Sequence, residues 1–210
     1  MEQQNSSYIY DGMNALEREV KRWFDFCGAL VCLILASPIF LACYIMIKRE
    51  DKQGPVIYKQ ERIGRFGRPF TIYKFRSMVI NAEENGPKLY HESEDDRLTK
   101  AGKFLRAHHL DELPQLWNVL KGDMSFVGPR PERKFYIDQI MKHDCRYKFL
   151  YQIRPGVTSY ATLYNGYTDT MEKMLKRLEM DLDYLERRSW WEDVKIIFFT
   201  VINVATGKKF

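Results

Sequence analysis

FLRAHHLDELPQLWNVLKGDMSFVGPRP, residues 104–131, is the stretch on which the reading of this chain turns. Two carboxylates, Asp111 and Glu112, stand side by side and Pro114 follows at once. Leu113, Leu116, Trp117 and Leu120 then recur at helical spacing. Proline is tolerated in the first turn of a helix, where its missing N–H has no intrahelical partner. A helix is therefore predicted here, with Asp111 near its cap and both acids at its N-terminus. That end carries unpaired N–H groups and a partial positive charge, which suits carboxylates and also a bound phosphate. Arg106 lies before the acids, and Lys121 and Arg130 after them. Neighbours on a helix point about 100° apart, so the acids are expected to take different roles. One could attack a phosphorus atom while the other holds a divalent cation. Taken alone, the same pattern also fits a capping Asp111 with Glu112 decorating the first turn.

Working outward, the N-terminal side is dominated by FCGALVCLILASPIFLACYIMI, residues 26–47, which carries no charge. About 20 apolar residues are enough to cross a bilayer, and the run lies too late in the chain to fit a cleaved signal peptide. Ser37-Pro38 falls in its middle, where proline kinks a helix. Basic residues flank both ends: Lys21 and Arg22 before, Lys48, Arg49 and Lys52 after. Both ends thus prefer the cytoplasm. A re-entrant helix that bends and returns to the same face satisfies both facts, and a single kinked span is the alternative. Residues 1–12 are polar and expected to be frayed. Asp25, just before the run, is a candidate anchor to the globular part.

The 210 residues suffice for one domain with a real core, and the net charge of +5 suits an anionic partner. Residues 54–78 read as strands and turns, with Lys59, Arg62, Arg65, Arg68, Lys74 and Arg76 making this the most basic region. Arginine forks match phosphate oxygens. Residues 81–97 read as an acidic surface loop, 98–109 as a short basic helix and 132–152 as one amphipathic helix. Met171, Met174, Leu175, Leu178, Leu182 and Leu185 form one apolar stripe on a charged helix, and residues 190–207 form a last apolar helix that opens on Trp190 and Trp191. His108-His109 lacks metal-ligand spacing, and the four cysteines form no CxxC. No P-loop, GxGxxG or GxSxG motif is present. Nucleic-acid binding is not expected, because neither a stacking platform nor a known motif accompanies the charge. A membrane-anchored scaffold with a basic face accounts for the charge and the apolar run, but not for Asp111-Glu112 beside Pro114.

DELPQLWNVLKGDMSFVGPRPE, residues 111–132, closely resembles the signature of the bacterial sugar transferase family, the monotopic phosphoglycosyl transferases. YKFRSM at 73–78, the Ser37-Pro38 break, Arg154-Pro155-Gly156-Val157-Thr158 and a Glu-x-Asp-x-x-Tyr pattern ending in Asp181 and Tyr184 extend the likeness over nearly the whole chain. Two places depart from it. His109 stands where members often carry a hydroxyl residue, and Ser159-Tyr160-Ala161-Thr162 replaces a common Gly-Trp-Ala-Gln. The resemblance implies a mostly helical α/β fold: a membrane-associated monotopic core with a re-entrant N-terminal helix (1–52), interfacial amphipathic helices and a catalytic domain (53–210) on the cytoplasmic face of the bacterial inner membrane. It implies transfer of a phosphosugar from a UDP-sugar to polyprenyl phosphate through a covalent intermediate on Asp111, with Glu112 binding Mg²⁺. Lys74, Arg76, Arg106, Arg130 and Arg154 are the candidates for holding phosphates or nucleotide, and Asp181 for supporting the site. Membrane lipid and a second copy of the chain complete the expected partners.

Overall fold

The computed structural model describes residues 8–84, 86, 96–166 and 168–206. Helix α1 (Ala15–Leu35) starts at a capping box in which Asn14 accepts from the Glu17 N–H and the Glu17 carboxylate accepts from the Asn14 N–H. It ends at Ala36, and α2 (Ser37–Glu50) leaves at a 59° bend. Pro38 sits in the first turn of α2 and has no N–H to give the preceding helix. No single helix among the described residues is long and apolar enough to cross a membrane, but the bent pair together reaches that length and composition. Leu30, Val31, Ile34 and Leu35 of α1, with Ile39, Leu41 and Ile45 of α2, are exposed. An apolar surface of this extent marks an interaction face.

Both ends of the bent pair return to the globular body. Lys21 and Arg22, expected as a flanking basic pair, are turned inward instead. Lys21 Nζ lies 2.5 Å from Asp193 Oδ2 and is buried. Arg22 donates to the carbonyls of Val119 and Leu120 at 2.6 and 2.9 Å. Asp25 accepts from the Phe126 N–H at 3.1 Å, which fixes it as the anchor. At the far end Glu50 accepts from the N–H groups of Lys100 and Ala101, and Asp51 pairs with Arg76.

Next comes a hairpin of β1 (Ile57–Ile63) and β2 (Pro69–Phe75), antiparallel from Ile57↔Phe75 to Ile63↔Pro69. A second, parallel pair joins β3 (Ser125–Val127) to β4 (Gly156–Thr158). Here the backbones touch: a Cβ on Gly156 would stand 2.2 Å from the Gly128 nitrogen, so only glycine fits. With two small sheets and eight α-helices among the described residues, the fold is mostly helical α/β. The remaining helices are α3 (Lys100–Ala107), α4 (Gln115–Lys121), α5 (Lys134–His143), α6 (Tyr160–Asn165), α7 (Met171–Arg187) and α8 (Trp190–Ala205).

The main core lies between α5, α7 and the segment after α5. Met174, Leu178, Leu182 and Leu185 of the apolar stripe are buried against Ile137, Ile140, Phe149 and Leu150. Residues 132–152 are not one helix. Asp144 takes an extended backbone, caps the Arg146 N–H, and starts a separate 3-10 stretch, Cys145–Gln152. Nor are residues 8–12 frayed: Ile9 is buried in the core, the Gly12 N–H donates to the Leu185 carbonyl, and Asp11 pairs with Arg188. Part of the expected acidic loop, residue 85 and residues 87–95, lies outside the described residues.

Lys21, Asp193 and Tyr184, whose Oη donates to Asp193 Oδ1 at 2.6 Å, tie α1, α7 and α8 together out of water. Removing the shared carboxylate leaves the buried Lys21 ammonium with only Asp25, 4.0 Å away, and Tyr184 Oη without its acceptor, which costs on the order of 3 kcal/mol. Asp193→Ala is therefore expected to lower the melting temperature in detergent by well over 5 °C. A melting temperature within 2 °C of the parent would refute the buried tie.

Candidate active site

The two carboxylates do not cap a helix as the sequence suggested. After α3 the chain takes a left-handed step at His109 (φ 53°) and tightens into a 3-10 turn, Leu110–Glu112. Pro114 holds the cap position of α4 without a side-chain bond. A proline ring clashes with the carbonyl four residues earlier, so no continuous helix can run through 110–114. The acids thus stand on the tight turn before α4, which rotates them toward β2. Helix α4 is held there by Asn118, fully buried, whose Oδ1 accepts from the Tyr73 N–H at 3.1 Å while its Nδ2 donates to the Thr71 carbonyl at 2.7 Å. This amide mimics a neighbouring strand on the free edge of β2, and it sets Lys74, the next residue but two after Thr71, opposite Glu112.

The outcome is a compact charge cluster. Glu112 Oε1 accepts from Lys74 Nζ at 2.7 Å and from Arg130 Nη2 at 3.1 Å. Burial by itself would raise the Glu112 pKa, but Lys74 and Arg130 outweigh burial and hold it well below the usual carboxylate range. Asp111, also buried, shifts the other way. Burial raises it, Lys74 offsets only part of that, and the Glu112 charge raises it further. Burial lowers the Lys74 pKa against the pull of Glu112. Adjacent acids in one turn are thereby driven apart in proton affinity, the pattern that divides labour between paired carboxylates.

The cluster opens into a cleft of about 580 Å³. Of the residues singled out from the sequence, Lys74, Arg76, Arg106, Asp111, Glu112 and Arg130 all line it. Arg76 is braced by Asp51 at 2.7 Å and Arg106 by the Ser77 hydroxyl at 2.9 Å. Arg154 is not brought there. Its Nε donates to the Gly122 carbonyl at 2.8 Å, beside Arg22, at the C-terminal end of α4. Cations are favoured at that end of a helix, so Arg154 is accounted for by the fold. The lining also holds Arg62, from the basic stretch 54–78, together with Glu132, Arg133 and Arg177, which sequence reasoning did not single out. Glu132 Oε1 accepts from Arg177 at 2.6 Å and its Oε2 lies 3.5 Å from Arg62. Behind them Asp181 is buried with Oδ1 unpartnered, and burial pushes its pKa up to about 7.

A family model described as "Bacterial sugar transferase" matches residues 16–207. The chain belongs to this bacterial sugar transferase family. It is 40% identical over 188 residues to a UDP-N-acetylgalactosamine-undecaprenyl-phosphate N-acetylgalactosaminephosphotransferase of Aeromonas hydrophila, covering 90% of this chain and 44% of that one. A UDP-glucose:undecaprenyl-phosphate glucose-1-phosphate transferase of Klebsiella pneumoniae is 44% identical over 199 residues, 93% of this chain and 42% of that one. A transferase of the same description from Caulobacter vibrioides is 41% identical over 189 residues, 89% of this chain and 70% of that one. The chain therefore spans less than half the length of the first two relatives.

Within this bacterial sugar transferase fold, Arg177 and Asp181 carried a signal that was open to reading. They fall inside the spacing of the Met174–Leu178–Leu182–Leu185 stripe, where a charge is costly unless it is paired. No group of three or more His, Cys, Asp or Glu side chains among the described residues is arranged to hold a metal. Mg²⁺ does not need such a cage, since it commonly binds through one or two carboxylates together with substrate phosphates. Glu112, ionised and facing the cleft, has the chemistry for that single ligand.

The raised Asp181 pKa predicts a pH signature in stability. The unfolded chain releases this proton near 3.8 and the folded one near 7, so folding is favoured at low pH and loses up to about 4 kcal/mol as pH climbs through that window. Asp181→Asn should raise the melting temperature at pH 8 and leave it nearly unchanged at pH 4. An equal shift at both values would exclude a proton held by Asp181.

Proposed function

We propose that this protein is a phosphoglycosyl transferase that moves a phosphosugar from a UDP-sugar to polyprenyl phosphate and releases UMP. The observation that carries the reading is Asp111 beside Glu112, with Lys74 and Arg130 on Glu112, at the floor of a cleft walled by further arginines. Such a cleft suits a nucleoside diphosphate, whose charges would otherwise repel a carboxylate nucleophile. The relatives' names agree with a UDP-sugar donor and undecaprenyl phosphate as acceptor, and they differ in the sugar.

In the proposed first step an Asp111 oxygen attacks the β-phosphorus. The bond from that phosphorus to the bridging oxygen breaks, and UMP departs with the oxygen. In the second step a phosphate oxygen of the lipid attacks the same phosphorus, the bond to Asp111 breaks, and a lipid diphosphosugar leaves with the carboxylate restored. Lys74 and Arg130 hold Glu112 ionised, and Arg106 and Arg76, which line the same cleft, would contact phosphate oxygens. Mg²⁺, bound through Glu112 and the donor's diphosphate, would neutralise charge on the phosphates. The raised Asp111 pKa fits a carboxylate freed of hydration, which is a better nucleophile once ionised.

The proposed location is the bacterial inner membrane, with the cleft on the cytoplasmic face. In support, both ends of the bent α1–α2 pair join the same globular body, and the exposed apolar residues of the pair face away from that body. One substrate is soluble and the other is a lipid, so a site at the interface serves both. The reaction would be the first membrane step of a surface-glycan pathway.

With Mg²⁺, undecaprenyl phosphate and a panel of UDP-sugars, the purified protein should release UMP with at least one donor. Asp111→Asn should reduce the rate by on the order of 10³-fold or more, and Glu112→Gln by about 10²-fold. Full activity in Asp111→Asn would rule out the covalent role. The rate should also fall on acidification, over a range set by the raised pKa of Asp111 rather than the ordinary carboxylate value. Lys74→Met removes the cation that partly offsets burial, and should move that acid limb upward in pH. A limb that stays put would remove Lys74 from the electrostatics of the pair.

A further inference from the structure

The cleft has two chemically different ends. One is the cationic end around Lys74, Arg106 and Arg130. The other runs between β4 and α8, where Val157, Thr158, Thr200 and Val204 line it. Threonines in a sugar-handling cleft invite a reading as sugar ligands, but their hydroxyls are already engaged. Thr200 Oγ1 donates to the Ile196 carbonyl at 2.7 Å, inside its own helix. With that proton committed, Thr200 can only accept from Thr158 Oγ1, 2.8 Å away. Both hydroxyl protons are spent, so this end of the cleft is walled mainly by methyl groups.

The same end leads out of the protein along an apolar face. Thr200 and Val204 are one turn apart on α8, and Val204 is itself exposed. Val201, about 60° from Val204 around the helix, is exposed as well, and Phe199, Phe198 and Ile202 carry the exposed apolar surface on round α8. A ligand that fits is an amphiphile: a phosphate for the arginines and lysine, and a branched hydrocarbon for the methyl-lined end and the face beyond it. A sugar would leave the methyl groups without a partner and would find at Thr158 and Thr200 only acceptor lone pairs, with no donor for its own oxygens.

We infer that the channel bounded by Val157, Thr158, Thr200 and Val204 is the lane along which the isoprenoid chain of the acceptor reaches the catalytic carboxylates. The inference rests on the transferase reading and assigns α8 a part in acceptor binding that is separate from donor binding. It gives the apolar C-terminal half of α8 a direction, with the chain lying along α8 toward Val204 and the phosphate at the cationic end.

The two half-reactions separate this from the parent reading. Without acceptor, exchange of labelled UMP into UDP-sugar reports only the donor step, and full turnover with undecaprenyl phosphate reports both. Val204→Trp fills the lane from an exposed position. Its exchange rate and donor KM are expected to stay within twofold of the parent, while the KM for undecaprenyl phosphate rises tenfold or more. A photoactivatable benzoylphenylalanine at position 204 should crosslink undecaprenyl phosphate, and should do so without donor present. An unchanged acceptor KM together with no crosslink would overturn the lane, and so would a rise confined to the donor KM, which would mean that this end holds the sugar. Absence of UMP exchange in the parent protein would remove the covalent intermediate, and absence of UMP release in full turnover as well would overturn the transferase reading itself and the lane with it.

Discussion

Asn118 is the constraint on which the site depends. A helix of seven residues has little stability of its own, and the strand it lies beside has a free edge. One buried amide resolves both, pairing with the backbone of β2 through a donor and an acceptor while its own carbonyl takes the chain beyond α4. Leaving either strand group unpaired in the interior would cost about 1–3 kcal/mol. The geometry follows from this pairing: α4 fixes the tight turn before it, the turn fixes Glu112, and β2 fixes Lys74. The cluster is thus assembled between two elements far apart in sequence by a residue that never faces the cleft.

Electrostatics then separates two chemically similar side chains. Asp111 and Glu112 are neighbours, both shielded from water, but the cations reach them unequally. Glu112 receives two direct charge-assisted bonds, while Asp111 is left with burial and a negative neighbour. No special amino acid is required for this division. It follows from the angle between consecutive residues on a 3-10 turn and from the fixed position of Lys74.

Much of this was legible beforehand. The apolar run with its Ser-Pro break, the stripe on α7 and the basic hairpin all follow from periodicity and composition, which are local. The cluster of Asp111, Glu112, Lys74 and Arg130 was legible through resemblance, since no spacing rule brings residue 74 to residue 112. What could not be read depended on tertiary pairing. Arg154 looks like a phosphate ligand until its guanidinium is found beside the Gly122 carbonyl. Lys21 and Arg22 look like a membrane flank until Asp193 and the end of α4 claim them. The helix expected to start near Asp111 begins only at Gln115 for a local reason: residues 110–112 close a 3-10 turn and Pro114 takes the cap position.

The docking of α1 on α4 carries a mechanical consequence. Arg22 grips the last carbonyls of α4, Asp25 holds the backbone at Phe126, and Gly28 lets the Phe126 ring lie against the helix, where a Cβ would come within 2.9 Å. These three grips, spaced along two turns of one rod, work as a gauge block. On the proposed membrane placement, they set the standoff between the reacting carboxylates and the plane of the lipid phosphates. Substitutions on the outward side of α1 change how firmly the rod seats without altering that height. Inserting one residue between Arg22 and Gly28 would turn the rod by about 100° and lengthen it by about 1.5 Å, so the gauge would no longer match the machine it calibrates.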